Sequence, residues 1–282
     1  MYYVIKLLSY ITCLMPNPLR RALAYAIGRL GWLVVNKRRK KTSVDNVLQS
    51  GLASDAEQAT DIVRDSVYRF GPMFVEVLLF PQLTQQAIRS HITFTGRDHL
   101  TEALSYGKGV VLATAHSGNW ELLGAALAYE GFPLVAVVRK QNDLGADRFI
   151  NEYRTQAGMH ITYKTSVKEM VRLLGEGKIV GLLMDQAAGS DGVMLDFFGR
   201  PSSTPQGPAA LARLKGAPIV LAFITGREDG THEAIIHPPL WVDKTADRDQ
   251  DIIVTTKKLN HIIEDHIRRH PAEWFWLHNR WK

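Results

Sequence analysis

The 282-residue chain has one cysteine, Cys13. That excludes a disulfide framework and any thiolate metal cluster, and it fits a reducing compartment. The first 44 residues contain no acidic residue, although they carry nine lysines and arginines. Long hydrophobic runs are missing too. Residues 2–15 are interrupted by Lys6 and followed by Pro16 and Pro18, and residues 22–35 contain Arg29. A bilayer-spanning helix needs about 20 mainly apolar residues, which neither stretch supplies alone. No small-residue cleavage site follows the first stretch, which argues against a cleaved signal peptide. The chain also lacks a Gly-x-Ser-x-Gly nucleophile elbow, an H-E-x-x-H zinc pair, a fixed-period repeat and a low-complexity linker.

What is present is a globular composition, 46% apolar and 22% charged. Removing the nine N-terminal cations from the 34 basic residues leaves 25 against 28 acids. The body is mildly acidic, which argues against nucleic acid as a partner. The excess charge of +6 belongs to one end. Five consecutive cations, Lys37 to Lys41, close that segment. The expected organisation is residues 1–44 as basic, apolar helices lying on an anionic phospholipid surface, followed by an α/β domain over 45–282. A single tilted span reaching Val35 and a soluble helical hairpin are the rivals.

Residues 45–90 form the helical lead-in. Ser54 to Glu57 reads as a capping box opening one helix to about Phe80. From Ile92 onward, short β-rich runs alternate with helical stretches. Strands are expected at 92–95, 109–115, 134–138, 160–163, 179–184, 193–197, 218–225 and 232–236. Helices are expected at 98–106, 119–130, 143–157, 167–175, 205–215 and 250–270. Alternation of this kind implies an α/β body with a sheet covered on both faces.

The informative stretch is Val110 to Glu121. A buried strand runs into a polar turn, His116-Ser117-Gly118-Asn119, and a helix begins. His116 then lies just past the carboxyl end of a strand, where open α/β sheets place ligands. Gly118 permits a tight turn, and Ser117 or Asn119 can cap the helix. His116 and Glu121 are five residues apart. In one straight helix they would face different sides, so they meet only if His116 lies in the turn and Glu121 in the first helical turn. A carboxylate on one imidazole nitrogen leaves the other as a base for a hydroxyl. The bland alternative is a polar turn residue and a glutamate complementing the helix dipole.

This H-x4-E motif resembles that of the late acyltransferases of lipid A biosynthesis, the lauroyl and myristoyl transferase family, and more distantly that of glycerolipid acyltransferases. Further blocks follow in the same order: Val137 to Arg139, Met184 to Gln186, Phe197 to Val220, and the tail His270 to Lys282. The resemblance implies a central mixed sheet flanked by helices, with an N-terminal helical membrane-attachment segment. It also implies transfer of a fatty acyl chain from acyl carrier protein, or coenzyme A, to a hydroxyl of a phosphorylated glucosamine lipid. The usual acceptor is the Kdo-bearing lipid A precursor, at the cytoplasmic face of the bacterial inner membrane. No resident cofactor or metal is implied.

On this reading His116 is the base, Glu121 orients it, and Arg139 and then Arg154 are candidates for oxyanion or phosphate contact. Asp185 and Gln186, at a strand end, orient arginine or substrate. Ser117, Asn119 and Thr204 are candidate substrate contacts. Thr204 stands before Pro205, read as the first residue of a helix whose N-terminus faces phosphate or pantetheine; capping alone is the plainer reading. His266 and His270 are spaced for a metal but lack a third ligand. Trp274, Trp276 and Trp281 suit either the bilayer interface or the core. A lysophospholipid or another glycolipid is the alternative acceptor, and a peripheral membrane scaffold is the non-enzymatic alternative.

Overall fold

The computed structural model describes residues 1–281. The body is built on a seven-stranded sheet in the order β1-β9-β8-β2-β5-β3-β4. Its strands are β1 (Ile92–Thr95), β2 (Val110–Thr114), β3 (Leu134–Val138), β4 (His160–Tyr163), β5 (Ile179–Leu183), β8 (Ile219–Gly226) and β9 (His232–Ile236). All pairings are parallel except β8 with β9, so the sheet is mixed as expected. A separate antiparallel pair joins β6 (Val193–Phe197) to β7 (Arg200–Thr204). Between strands run α7 (Arg97–Ser105), α8 (Trp120–Tyr129), α9 (Leu144–Gln156), α10 (Val167–Gly175) and α11 (Gly207–Lys215), and α12 (Arg248–Arg269) follows β9. Every residue of β2 is buried, as a strand covered on both faces must be. One apolar cluster forms on each face of the sheet, around Val111 and Leu221 on one side and Leu112 and Val220 on the other.

Three local expectations change. Thr204 does not precede a helix. It ends β7, fully buried, and α11 begins at Gly207 with Pro208 in its first turn. The Phe198-Gly199 turn, both residues at positive φ, folds 200–204 back onto β6. The lead-in helix is also two helices, α4 (Ala56–Tyr68) and α5 (Phe70–Leu78), followed by α6 (Gln85–His91). Pro72 has no N–H for the Tyr68 carbonyl, so the regular ladder stops there. The helix start moves one residue as well: Asp55 caps the Gln58 amide at 2.9 Å, and Gln58 accepts from the Ser54 amide.

The N-terminal segment packs on this body as α1 (Tyr2–Leu14), α2 (Asn17–Val34) and α3 (Lys37–Gln49). α2 approaches the α4–α5 break closely. A methyl group on Gly28 would collide with the Tyr68 carbonyl, and one on Gly71 with the Ala24 carbonyl. α1 lies against α9, where Lys6 pairs with Glu152 at 2.6 Å, and against α5, where Ser9 donates to the Leu78 carbonyl at 2.6 Å. The amphipathic order of α1 is inverted. Ser9 and Thr12 are buried, whereas Tyr3, Leu7, Tyr10 and Leu14 project outward. α2 adds Leu30, Leu33 and Val34, the last 80% exposed. Among the described residues no helix is long and apolar enough to cross a membrane, so the tilted single span is not found.

Candidate active site

β2 and β5 are adjacent and parallel, with Thr114 opposite Leu183. Two residues beyond those partners stand His116 and Asp185. The register therefore brings them to the same point on the carboxyl edge of the sheet. His116 Nδ1 donates to Asp185 Oδ1 at 2.8 Å. Asp185 is buried, and its other oxygen accepts from Trp274 Nε1 at 2.8 Å. Each carboxylate oxygen thus has a donor, which a buried carboxylate requires.

The electrostatics are reciprocal. Burial alone would push the His116 imidazole down; the charge and hydrogen bond of Asp185, with a smaller contribution from Glu121, outweigh it and raise its proton affinity. Burial would push Asp185 up; the His116 charge and bond and the Trp274 bond hold it below the ordinary carboxylate range. With Asp185 ionised, Nδ1 must carry the proton, and Nε2 is the lone pair available as a base. The side chain of His116 keeps 22% of its surface open, and its ring packs edge-on to Trp120 with centroids 4.9 Å apart.

The turn that carries His116 is fixed from several sides. Gly118 has φ +60, and a side chain there would collide with the Ile224 carbonyl of β8, so glycine is required twice over. Its amide donates to the Glu273 carbonyl at 3.0 Å, and the Phe275 amide donates to the His116 carbonyl. The C-terminal tail is thus woven into the turn.

The chain matches, over residues 1–282, the sequence profile described as bacterial lipid A biosynthesis acyltransferase. It belongs to that family. Its fold is the α/β sheet flanked by helices described above, and family membership makes it an acyltransferase acting on lipid acceptors. A phosphatidylinositol mannoside acyltransferase of Mycobacterium tuberculosis is 30% identical over 227 residues, covering 77% of this chain and 69% of the relative. A lipid A biosynthesis acyltransferase of Haemophilus influenzae is 24% identical over 89% of this chain and 78% of its own length. The palmitoleoyltransferase of lipid A biosynthesis from Escherichia coli is 23% identical over 87% and 79%. The crystal structure of the 1-acyl-sn-glycerophosphate acyltransferase PlsC from Thermotoga maritima aligns with a TM-score of 0.41 and 14% identity, over 94% of this chain and 97% of that one.

Within the family's H-x4-E motif, the structure reassigns the glutamate. Glu121 does not bond to His116. It takes Arg154 in a bidentate pair, Nε to Oε2 at 2.9 Å and Nη2 to Oε1 at 2.6 Å, while Arg154 Nη1 donates to Asn151 at 2.8 Å. Burial would lower Arg154, but the Glu121 charge and bond raise it. This pair ties the start of α8 to α9, and it commits all three guanidinium nitrogens, so Arg154 is not a free cation for an oxyanion or a phosphate. The carboxylate bonded to His116 is Asp185, whose place in the sequence suggests only a role in orienting arginine or substrate.

The other candidates separate. Asn119 caps α8, its Oδ1 accepting from the Leu122 amide at 3.0 Å, and its Nδ2 donates to Glu76 at 2.7 Å. Ser117 does not cap; it is buried and bonded to His266 Nε2 at 3.0 Å. Burial pushes His266 down to about 3, so it is neutral, and its ring stacks on Phe223. Ser117 and Asn119 therefore hold the turn instead of offering side chains to substrate. Thr204 is bonded to Arg280 Nη2 at 2.7 Å, deep in the protein, and is no helix-terminal phosphate contact. Gln186 is half-buried beside Asp185. Arg139 stands exposed, one residue past the end of β3. Trp274 and Trp276 are both 1% exposed, so they belong to the core and not to the bilayer interface. Trp274 is the site residue missed as such; its only sequence signal was an aromatic-rich tail.

Proposed function

We propose that the chain transfers a fatty acyl group from acyl-acyl carrier protein, or from acyl-coenzyme A, to a hydroxyl of the lipid A precursor. The observation that carries this reading is the His116–Asp185 pair at the carboxyl edge of the sheet, in a chain of this family. His116 Nε2 takes the proton of the acceptor hydroxyl as its oxygen attacks the thioester carbonyl. The carbon–sulfur bond then breaks, and the leaving thiolate takes the proton back from His116. The imidazolium formed in between is stabilised by Asp185, which is held by Trp274. The Trp120 and Glu121 amides at the start of α8 are the candidate donors for the oxyanion, with Arg139, past the carboxyl end of β3, as the cationic candidate. No resident cofactor enters these steps; the thioester is a co-substrate.

Attachment to the cytoplasmic face of the inner membrane is supported by the outward apolar face of α1 and α2. Lys37 to Lys41 open α3, against the direction the helix dipole favours, and an anionic headgroup surface offsets that penalty. A second acceptor, a mannosylated phosphatidylinositol, is favoured by the 30% identity to the mycobacterial enzyme of that name. Both acceptors are glycolipids with phosphate near the sugar.

The test pairs the purified chain with acyl-acyl carrier protein and acyl-coenzyme A of several chain lengths. Each donor is offered a Kdo-bearing lipid A precursor and a mannosylated phosphatidylinositol, and products are read by mass. One acyl chain added to the first acceptor, and lost in His116→Ala, is the expected result. Product on the second alone moves the acceptor assignment. Full transfer by a folded His116→Ala variant removes the base.

A further inference from the structure

A cavity of about 870 Å³ opens beside the catalytic turn, bordered by Gly118 and Asn119. A smaller one of about 280 Å³ shares its walls at Arg20, Glu76, Leu79 and His232. The smaller one is mostly apolar, with Leu83, Ile88 and Leu122 in its lining. Together they form a groove with a charged mouth and a greasy annex, between α2, α5 and the β8–β9 turn.

Five arginines border the mouth, and two are spent. Arg69 pairs with Glu273 at 2.5 Å, and Arg227 with Glu233 at 3.1 Å. The other three lie on α2, and among the described residues none of them pairs with a carboxylate. Arg20 donates to the carbonyls of Thr12 and Cys13 and to the side chains of Asn17 and Gln82. Arg29 stacks over Tyr25 at 3.9 Å, which leaves its N–H edge free to donate. Arg21 reaches across toward Gly230 on the β8–β9 turn. The acids of the inner wall are occupied: Glu76 accepts from Asn119 and His232, and Glu273 accepts from Arg69 and the Gly226 amide. Asp65, Glu228 and Asp229 stay on the exposed outer wall.

A second observation points the same way. His232 lines both cavities and is 9% exposed, yet its Nδ1 is buried without a hydrogen-bond partner. Glu76 favours the protonated ring against the effect of burial, and in that form Nδ1 is a donor; beside Arg21 and Arg29, whose guanidinium groups have no carboxylate among the described residues, it completes a set of unmatched donors suited to an anion.

We infer that this groove holds the phosphate of an anionic lipid headgroup, with Arg21 and Arg29 as its donors and the annex taking adjoining hydrocarbon. The helix that supplies these arginines also carries Leu30 and Leu33, both exposed. Phe70 lines the groove, and its ring lies 6.3 Å from Trp120, which in turn packs on His116 at 4.9 Å. A headgroup anchored in the groove therefore extends to the base past two rings. That the anchored lipid is the acceptor rests on the acyl-transfer reading; the phosphate site does not. The same chemistry is offered by the acceptor's own phosphate and by bulk anionic phospholipid.

The experiment uses the full chain with Arg21→Gln and Arg29→Gln combined. Arg20 is kept, because its bonds join α1 to α2. In one arm, co-sedimentation is measured with phosphatidylcholine vesicles, with and without phosphatidic acid. The variant is expected to lose roughly fivefold per arginine on the anionic vesicles only. In the other arm, kcat/KM is compared between a phosphorylated lipid acceptor and the same lipid after phosphate removal. A fall of that size in the ratio identifies the acceptor's phosphate as the occupant. A loss confined to the vesicles identifies bulk phospholipid, and Arg29→Lys should restore part of either loss. No change in either arm, with an unaltered thermal midpoint, overturns the site. If the unmodified chain consumes no acyl thioester, the acyl-transfer reading fails on its own and the vesicle arm still decides the groove.

Discussion

The corner around His116 and the face of α1 and α2 are opposites. In the corner the polar side chains are matched, with only His116 Nε2 left open: His116 on Asp185, Asp185 on Trp274, Glu121 on Arg154, Ser117 on His266. On the helical face the matches are missing. Leucines and valines stand in the open, and three arginines of α2 have no counter-charge. A buried network must be complete in the folded chain, because unpaired polar groups in a dry interior are costly. A surface can stay incomplete when its partner comes from outside. On the function proposed above, the first region serves chemistry and the second serves contact.

The hardest blow to this contrast is aimed at the corner. Asp185→Asn should lower the transfer rate by about 10²- to 10⁴-fold while the chain stays folded, since it removes the group that holds the imidazole in its basic tautomer. The pH profile sharpens the point. The base must be neutral, and its proton affinity is raised by Asp185. The rate therefore falls on the acid side through a pKa above the ordinary histidine value. In Asp185→Asn that limb should move to lower pH. Wild-type activity with an unmoved limb would place the chemistry elsewhere.

Next in size is Glu121→Gln, which leaves a buried Arg154 without its carboxylate. Stability should fall by about 3 kcal/mol in denaturant unfolding. The acid limb should move little, because Glu121 is the minor influence on His116. A large shift of the limb with unchanged stability would return Glu121 to the role of orienting the imidazole.

The smallest effect belongs to the other region. Replacing Leu7 and Leu14 of α1 by Ser removes apolar surface that is already exposed, so the thermal midpoint should hold. Binding to vesicles should weaken by about 1 to 2 kcal/mol per residue, the scale of burying one such side chain. A lowered midpoint with unchanged vesicle binding would show that these leucines serve the fold.

Much of this was legible in the chain itself. The strands at 92–95, 134–138, 160–163, 193–197 and 232–236 lie where the β-rich runs put them. Continuous apolar runs bounded by glycine and polar turns are local signals, and they survive in the folded state. The turn at His116, the need for Gly118 and the cap of α8 are local in the same sense. So is the basic, acid-free character of residues 1–44, which needs no fold to be seen. The strand at 200–204 was not legible, because serines and a proline carry no β pattern and only pairing with β6 makes them one.

The partner of His116 was beyond reach for a related reason. Spacing along the chain offered Glu121 five residues away, whereas Asp185 lies 69 residues on and meets His116 only because β2 and β5 are neighbours in register. Strand order is set by how whole helices cover a sheet, a property of the assembled core and not of any window of sequence. Composition and local pattern determined that this chain is an α/β protein with a basic, apolar end and a histidine in a strand-to-helix turn. Tertiary structure alone decided which carboxylate holds that histidine, which arginines are spent and which are left free, because those choices depend on contacts between segments that the chain keeps far apart.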